Sequence, residues 1–191
     1  MMNIIRWFEK ADTEIFLWMN NNSPASLDDF FMFITRVDVW IPLYIVLFIV
    51  LYKKYPKWGY AWVMGGLLLM VLLADQGSVK LFKENFQRLR PCNNPELDGL
   101  FRALKEGCGG KYGFVSSHAS NTFALAFFIG TLTNRTWWAI MVVWAVLVSY
   151  SRIHIGVHFP ADIFFGGLYG AVIGFFLGFV VKKPATISAA K

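Results

Sequence analysis

Three short stretches of the chain gather side chains that can handle a phosphate group. The most specific runs Ser151-Arg152-Ile153-His154-Ile155-Gly156-Val157-His158-Phe159-Pro160-Ala161-Asp162. Pro160 stands where the first residue of a helix is expected, so His158 falls just ahead of that helix and Asp162 in its first turn. A carboxylate beside an imidazole can accept the Nδ1–H, fix the tautomer and leave Nε2 as a nucleophile. Arg152 offers a planar guanidinium fork suited to phosphate. His154, between them, reads as a supporting or structural histidine rather than a catalytic one.

The second stretch is Lys83-Glu84-Asn85-Phe86-Gln87-Arg88-Leu89-Arg90-Pro91. On a continuing helix Lys83 and Arg90 point the same way, and Pro91 then ends that helix. Arg88 is a third cation nearby; taken alone, such residues also suit lipid headgroups at an interface. The third stretch is Val115-Ser116-Ser117-His118-Ala119-Ser120. Ser116 or Ser117 can cap the helix that follows, whose N-terminal amides attract anions, and His118 lies in its first turn. By itself this is also an ordinary serine cap. Together the three stretches put cations, histidines and an aspartate at the same ends of apolar helices, where ionisable groups are costly and usually functional. There is no Walker-type glycine loop and no carboxylate cluster suited to Mg²⁺, so neither cofactor nor metal is expected.

The elements that must position these residues are membrane helices. Of the 191 residues, 57% are hydrophobic and only 16% charged, and mean hydropathy is +0.49. That composition excludes a disordered chain and argues against a soluble enzyme. The expected fold is all-α, a polytopic transmembrane bundle of about five to six spans in a single domain, residues 1–191. Spans are read at Trp40–Tyr52, beginning as early as Asp29, then Trp58–Val79, Ser117–Leu132, Trp137–Tyr150 and Ala161–Val181. The N-terminal residues 1–25 mix charges with Phe8, Ile15, Phe16 and Met19 at helical spacing, and read as an amphipathic helix in the interface. Ser26 is the expected cap of a second short helix.

Lys53, Lys54, Lys57, Arg135, Lys182, Lys183 and Lys191 share one side, which the positive-inside bias makes cytoplasmic. The three polar stretches and the loop 84–115 then face outward, from an inner membrane. The net charge of +6 reflects these ends together with the many basic residues of the outer side, and no long basic stripe suggests nucleic acid. Cys92 and Cys108 lie in the outer loop, where an oxidising compartment would permit a disulfide.

The three stretches resemble the type 2 phosphatidic acid phosphatase superfamily of integral membrane lipid phosphatases, whose motifs are KxxxxxxRP, PSGH and SRxxxxxHxxxD. The first is matched by Lys83, Arg90 and Pro91, and the third by Ser151, Arg152, His158 and Asp162. The second is matched at Ser116 and His118, with Val115 in place of Pro and Ser117 in place of Gly. The resemblance covers residues 83–162 directly and leaves the first 25 outside it. It implies attack on phosphorus by His158, oriented by Asp162, with His118 as general acid and then base. Lys83, Arg90 and Arg152 would hold the phosphoryl oxygens, aided by Ser116, Ser117 and helix-terminal amides. The implied substrate is a lipid phosphomonoester or pyrophosphate: undecaprenyl diphosphate, which is favoured, phosphatidylglycerol phosphate, phosphatidic acid or a lipid A phosphate. Alternatives are phosphotransfer to an acceptor lipid, a vanadate haloperoxidase (disfavoured by the apolar spans) and a non-enzymatic carrier of anionic lipids.

Overall fold

The computed structural model describes residues 2–104 and 108–190; Met1, residues 105–107 and Lys191 lie outside the described residues. The described chain is helical. Helix α1 spans Met2–Asn21, α2 Asp28–Ile34, α3 Ile41–Lys54, α4 Trp58–Gly77, α5 Glu84–Phe86, α6 Ser117–Leu132, α7 Arg135–His154 and α8 Pro160–Ala189. A π-helical turn, Ser78–Lys83, joins α4 to α5.

Among the described residues, three continuous helical stretches are long and apolar enough to cross a membrane: Trp58–Phe86, Arg135–His154 and Pro160–Ala189. The bent pair Ala25–Ile34 and Asp38–Lys54, with a 70° break, can supply a fourth crossing. Helix α6 has only 16 residues. It packs against α4, α7 and α8, with Ala124, Ala126, Phe128 and Ile129 fully buried. Leu68, Leu72, Phe175, Phe176 and Phe179 point outward instead, as a bilayer demands.

The closeness of α6 to α8 comes from a glycine stripe. Gly166, Gly170, Gly174 and Gly178 recur every fourth residue along one face of α8. A Cβ at Gly170 or Gly174 would collide with the Ser120 or Ala124 carbonyl oxygen of α6. Small residues let the two backbones meet, the usual way to pack helices where lipid removes the hydrophobic drive. This contact anchors the start of α6 beside the start of α8, bringing the second and third polar stretches together.

Three local expectations change. Ser26 does not cap α2; it lies inside a 3₁₀ turn, Ala25–Leu27, and Leu27 precedes α2 without a side-chain cap. The helix carrying Lys83 does not continue to Arg90. It stops at Gln87, whose φ is +48°, and Arg90 is extended at φ −73°, ψ 157°. Pro91 disfavours helical backbone at the residue before it, and Leu89 pairs with Tyr112 across the loop instead. Helix α1 is also more than an interfacial helix. Trp7, Phe8 and Trp18 are exposed, yet Phe16 and Asn20 are fully buried against the loops that hold the polar stretches.

Candidate active site

His158 and Asp162 meet as their spacing implied. Pro160 occupies the first turn of α8, and the Asp162 side chain accepts the Phe159 N–H at 3.0 Å, closing the helix start over the carboxylate. The same oxygen lies 3.1 Å from His158 Nδ1. A carboxylate can only accept here, so Nδ1 carries the proton and the Nε2 lone pair is left for attack. His158 is also held by its backbone: its N–H and that of Val157 both donate to the Arg152 carbonyl, at 3.2 and 3.1 Å. Gly156 makes this turn at φ +80°, and a Cβ there would stand 2.6 Å from the Phe101 ring. Burial, reinforced by Arg90, Arg152, Lys83 and Arg88, holds His158 well below the ordinary histidine range, so it is neutral near pH 7.

The cations approach from three elements. Arg152 ends α7, is buried, and gives Nη1 to Thr35 Oγ1 at 2.6 Å; its Nε has no partner among the described residues. Arg90 is held by backbone carbonyls, Nη1 to Cys108 at 2.8 Å and Nε to Tyr112 at 3.2 Å. Burial pushes Arg90 down from its ordinary value, and Asp162 pulls it back up. Cys92 and Cys108 form a disulfide, which ties the Arg90 segment to the strand of loop that receives its guanidinium. Lys83 Nζ donates to Ser117 Oγ at 2.6 Å, and Ser117 also meets Ser78 Oγ at 2.6 Å. Ser116 caps α6 through Ala119 N, and its own N–H donates to the Asp162 carbonyl at 3.0 Å. His118 follows in the first turn of α6 and lines the adjoining cavity.

That cavity, of about 350 Å³, runs between α3, α4, α6 and α7. His118, Asn121 and Thr35 are among its polar lining residues, and its mostly apolar wall includes Leu47, Leu51, Met70, Ile129 and Trp144. An apolar tail suits it. Among the described residues no three His, Cys, Asp or Glu side chains converge as a metal site needs.

Thr35 and Gly113 were not singled out from the sequence, and the structure also supplies the partners of Arg88 and His154. Thr35 supports Arg152 across 117 positions of chain. Gly113 lies so close that a Cβ would stand 2.9 Å from Asp162 Oδ2. Arg88 is not spare for phosphate: Nη1 meets Asp162 Oδ1 at 3.0 Å and Nη2 meets Asp12 Oδ2 at 2.6 Å. His154 is structural, with Nδ1 2.5 Å from Ser23 Oγ and Nε2 2.8 Å from Asp28 Oδ1. No local pattern marks these partners, because each contact joins distant parts of the chain.

The family model of the PAP2 superfamily matches residues 64–184. A lipid A 4'-phosphatase of Porphyromonas gingivalis is 35% identical over 170 residues, covering 88% of this chain and 72% of that protein. An undecaprenyl-diphosphatase of Sulfolobus acidocaldarius is 34% identical over 172 residues, 86% of this chain and 75% of that one. The crystal structure of a transmembrane PAP2-type phosphatidylglycerolphosphate phosphatase from Bacillus subtilis shares the fold, with a TM-score of 0.65 at 24% identity over 92% of this chain and 85% of that one. Motifs, membrane bundle and relatives agree over most of the length: the chain belongs to the PAP2 superfamily and is a membrane lipid phosphatase.

Proposed function

We propose that the chain hydrolyses a phosphate monoester of a lipid of the lipid A type, through a phosphohistidine at His158. The observation that carries this is the buried His158–Asp162 couple with Lys83, Arg90 and Arg152 close enough to act on its charge; His118 lines a largely apolar cavity. In the first step His158 Nε2 attacks phosphorus, the bond from phosphorus to the sugar oxygen breaks, and His118 gives that oxygen a proton. In the second, water attacks phosphorus, His118 takes its proton, and the P–N bond breaks to release inorganic phosphate. Asp162 offsets the positive charge that the imidazole gains. Lys83, Arg90 and Arg152 face the phosphoryl oxygens, where charge is shared out in the transition state.

Two observations favour a monophosphate. The relative at 35% identity is a lipid A 4'-phosphatase. Arg88, the fourth cation near the site, is already paired with two carboxylates and so is not offered to a second phosphate. The similarity to an undecaprenyl-diphosphatase supports the second reading, a polyprenyl diphosphate. The site is proposed to face outward from the inner membrane. The disulfide suits an oxidising compartment, and Lys54 and Lys182 close the opposite end on the Thr133 and Thr131 carbonyls.

The test is phosphate release by purified protein in detergent with EDTA, from lipid A, undecaprenyl diphosphate, phosphatidylglycerol phosphate and phosphatidic acid, beside His158→Ala. Release greatest from lipid A and lost in the variant is expected. Faster release from undecaprenyl diphosphate would move the substrate to the second reading. Label passing to an acceptor lipid instead of water would make the chain a phosphotransferase. Activity surviving in His158→Ala would end the phosphohistidine mechanism.

A further inference from the structure

We propose that Asp12, on the N-terminal helix and outside the region matched by the family model, is a positioning residue of the phosphatase site that acts through Arg88 on Asp162. The contacts form one chain. Asp12 Oδ2 meets Arg88 Nη2 at 2.6 Å, Arg88 Nη1 meets Asp162 Oδ1 at 3.0 Å, and Asp162 Oδ2 meets His158 Nδ1 at 3.1 Å. Asp12 uses its other oxygen to accept the Ala161 N–H at 2.8 Å, so it also grips the first turn of the helix that carries Asp162. Arg88 lies over the Phe159 ring, 4.1 Å from its centre, which fixes the guanidinium between the two carboxylates. Asp162 is fully buried and the Asp12 and Arg88 side chains are only 11% and 17% exposed, so water screens these charges poorly.

The arrangement answers a charge problem. His158 becomes cationic when it attacks phosphorus, and the carboxylate of Asp162 is useful because it is negative. Arg88 alone would orient that carboxylate and cancel its charge at the same time. Asp12 offsets Arg88, so the three groups together keep one net negative charge beside His158 while holding Asp162 in place. The remaining groups facing His158 are the cations Arg90, Arg152 and Lys83, which leaves Asp12 as the added negative charge in the network. Helix α1 is therefore part of the working site rather than a membrane anchor alone.

The inference rests on the phosphohistidine reading, so His158→Ala is measured in parallel. Asp12→Asn keeps the size of the side chain and an acceptor for Ala161 but loses the ion pair. It should lower kcat about ten- to hundredfold, the usual range for outer-shell partners, with KM changed less than about twofold. Arg88→Gln should show the same split, and adding Asp12→Asn to it should cost little more, because both act through one path. Glu14→Gln, two positions along the same helix and exposed, should leave kcat unchanged and controls for docking of α1. Thermal midpoints in detergent establish folding. If Asp12→Asn is not recovered folded, Asp12→Glu replaces it, with a smaller loss of kcat expected at unchanged KM. Wild-type kcat in either Asp12 variant, a rise in KM alone, or full additivity with Arg88→Gln would overturn the proposal. Should His158→Ala itself remain active, the failure lies in the phosphohistidine reading instead.

Discussion

A single methyl group at residue 113 should slow this enzyme without unfolding it. Gly113 donates its N–H to the Arg88 carbonyl at 2.8 Å, which lays the loop against the site. A Cβ there would stand 2.9 Å from Asp162 Oδ2, 3.1 Å from Arg90 Cγ and 3.5 Å from His158 Nδ1. Comfortable contact for carbon lies near 3.5 Å, so the carboxylate or the loop must retreat by roughly 0.5 Å. The carboxylate cannot yield freely, because His158, the Phe159 N–H and Arg88 all hold it. Gly113 does not have a left-handed φ, so alanine adds steric pressure and no backbone strain. Misplacement by about 1 Å can cost about 10²-fold in rate, so Gly113→Ala should lower kcat about ten- to hundredfold. KM should move less than kcat, since the cations proposed to hold the phosphate keep their own partners. The assay is phosphate release at saturating lipid, with a thermal midpoint beside it. A wild-type kcat would show that the loop stands clear of Asp162 and that the close packing has no catalytic consequence. A loss explained by a collapsed midpoint would show that the glycine serves folding alone.

Other changes probe other parts. Arg152→Lys should cut kcat/KM by two orders of magnitude or more, since a point charge cannot copy a planar fork held by Thr35; near-normal activity would remove Arg152 from phosphate binding. Reducing the Cys92–Cys108 disulfide should raise KM several-fold by loosening Arg90, and an unchanged KM in fully reduced protein would show that the loop holds Arg90 unaided. Gly170→Leu should destabilise the bundle by about 3 kcal/mol or more, because its Cβ collides with backbone rather than a movable side chain; an unchanged thermal midpoint would contradict the close α6–α8 contact. His158 is held below the ordinary histidine range by burial and by the nearby cations, so its neutral form persists as pH falls through about 6.5. After correction for ionisation of the substrate phosphate, the acid limb of kcat/KM should therefore fall below that value; a limb at or above it assigned to His158 would refute the shift.

The candidate site was legible in the sequence wherever its contacts are local. Pro160 and Asp162 define the start of α8 within three positions, and that start delivers the carboxylate to His158, four residues away. Ser116 likewise caps α6 from inside its own stretch. The spans were legible because a bilayer core demands long apolar runs, although α7 and α8 extend past the ends read from hydropathy, to His154 and Ala189. The Lys83–Arg90 stretch misled, because helical spacing was carried past Gln87, where the chain turns left-handed and becomes extended.

What the sequence by itself determined is the family, the membrane helices, and the set of candidate reactive groups that they carry. Tertiary structure alone decided how their charges are shared. Arg88 looks like another phosphate cation in its own stretch, and only the docking of α1 and α8, 76 and 74 positions away, pairs it with Asp12 and Asp162. Gly113 and Thr35 carry no motif, yet one packs on the candidate carboxylate and the other holds Arg152. The physical reason is range. Capping and helical spacing act within one or two turns and leave a mark in sequence, whereas the partner of a buried charge is whichever group the fold brings within about 3 Å.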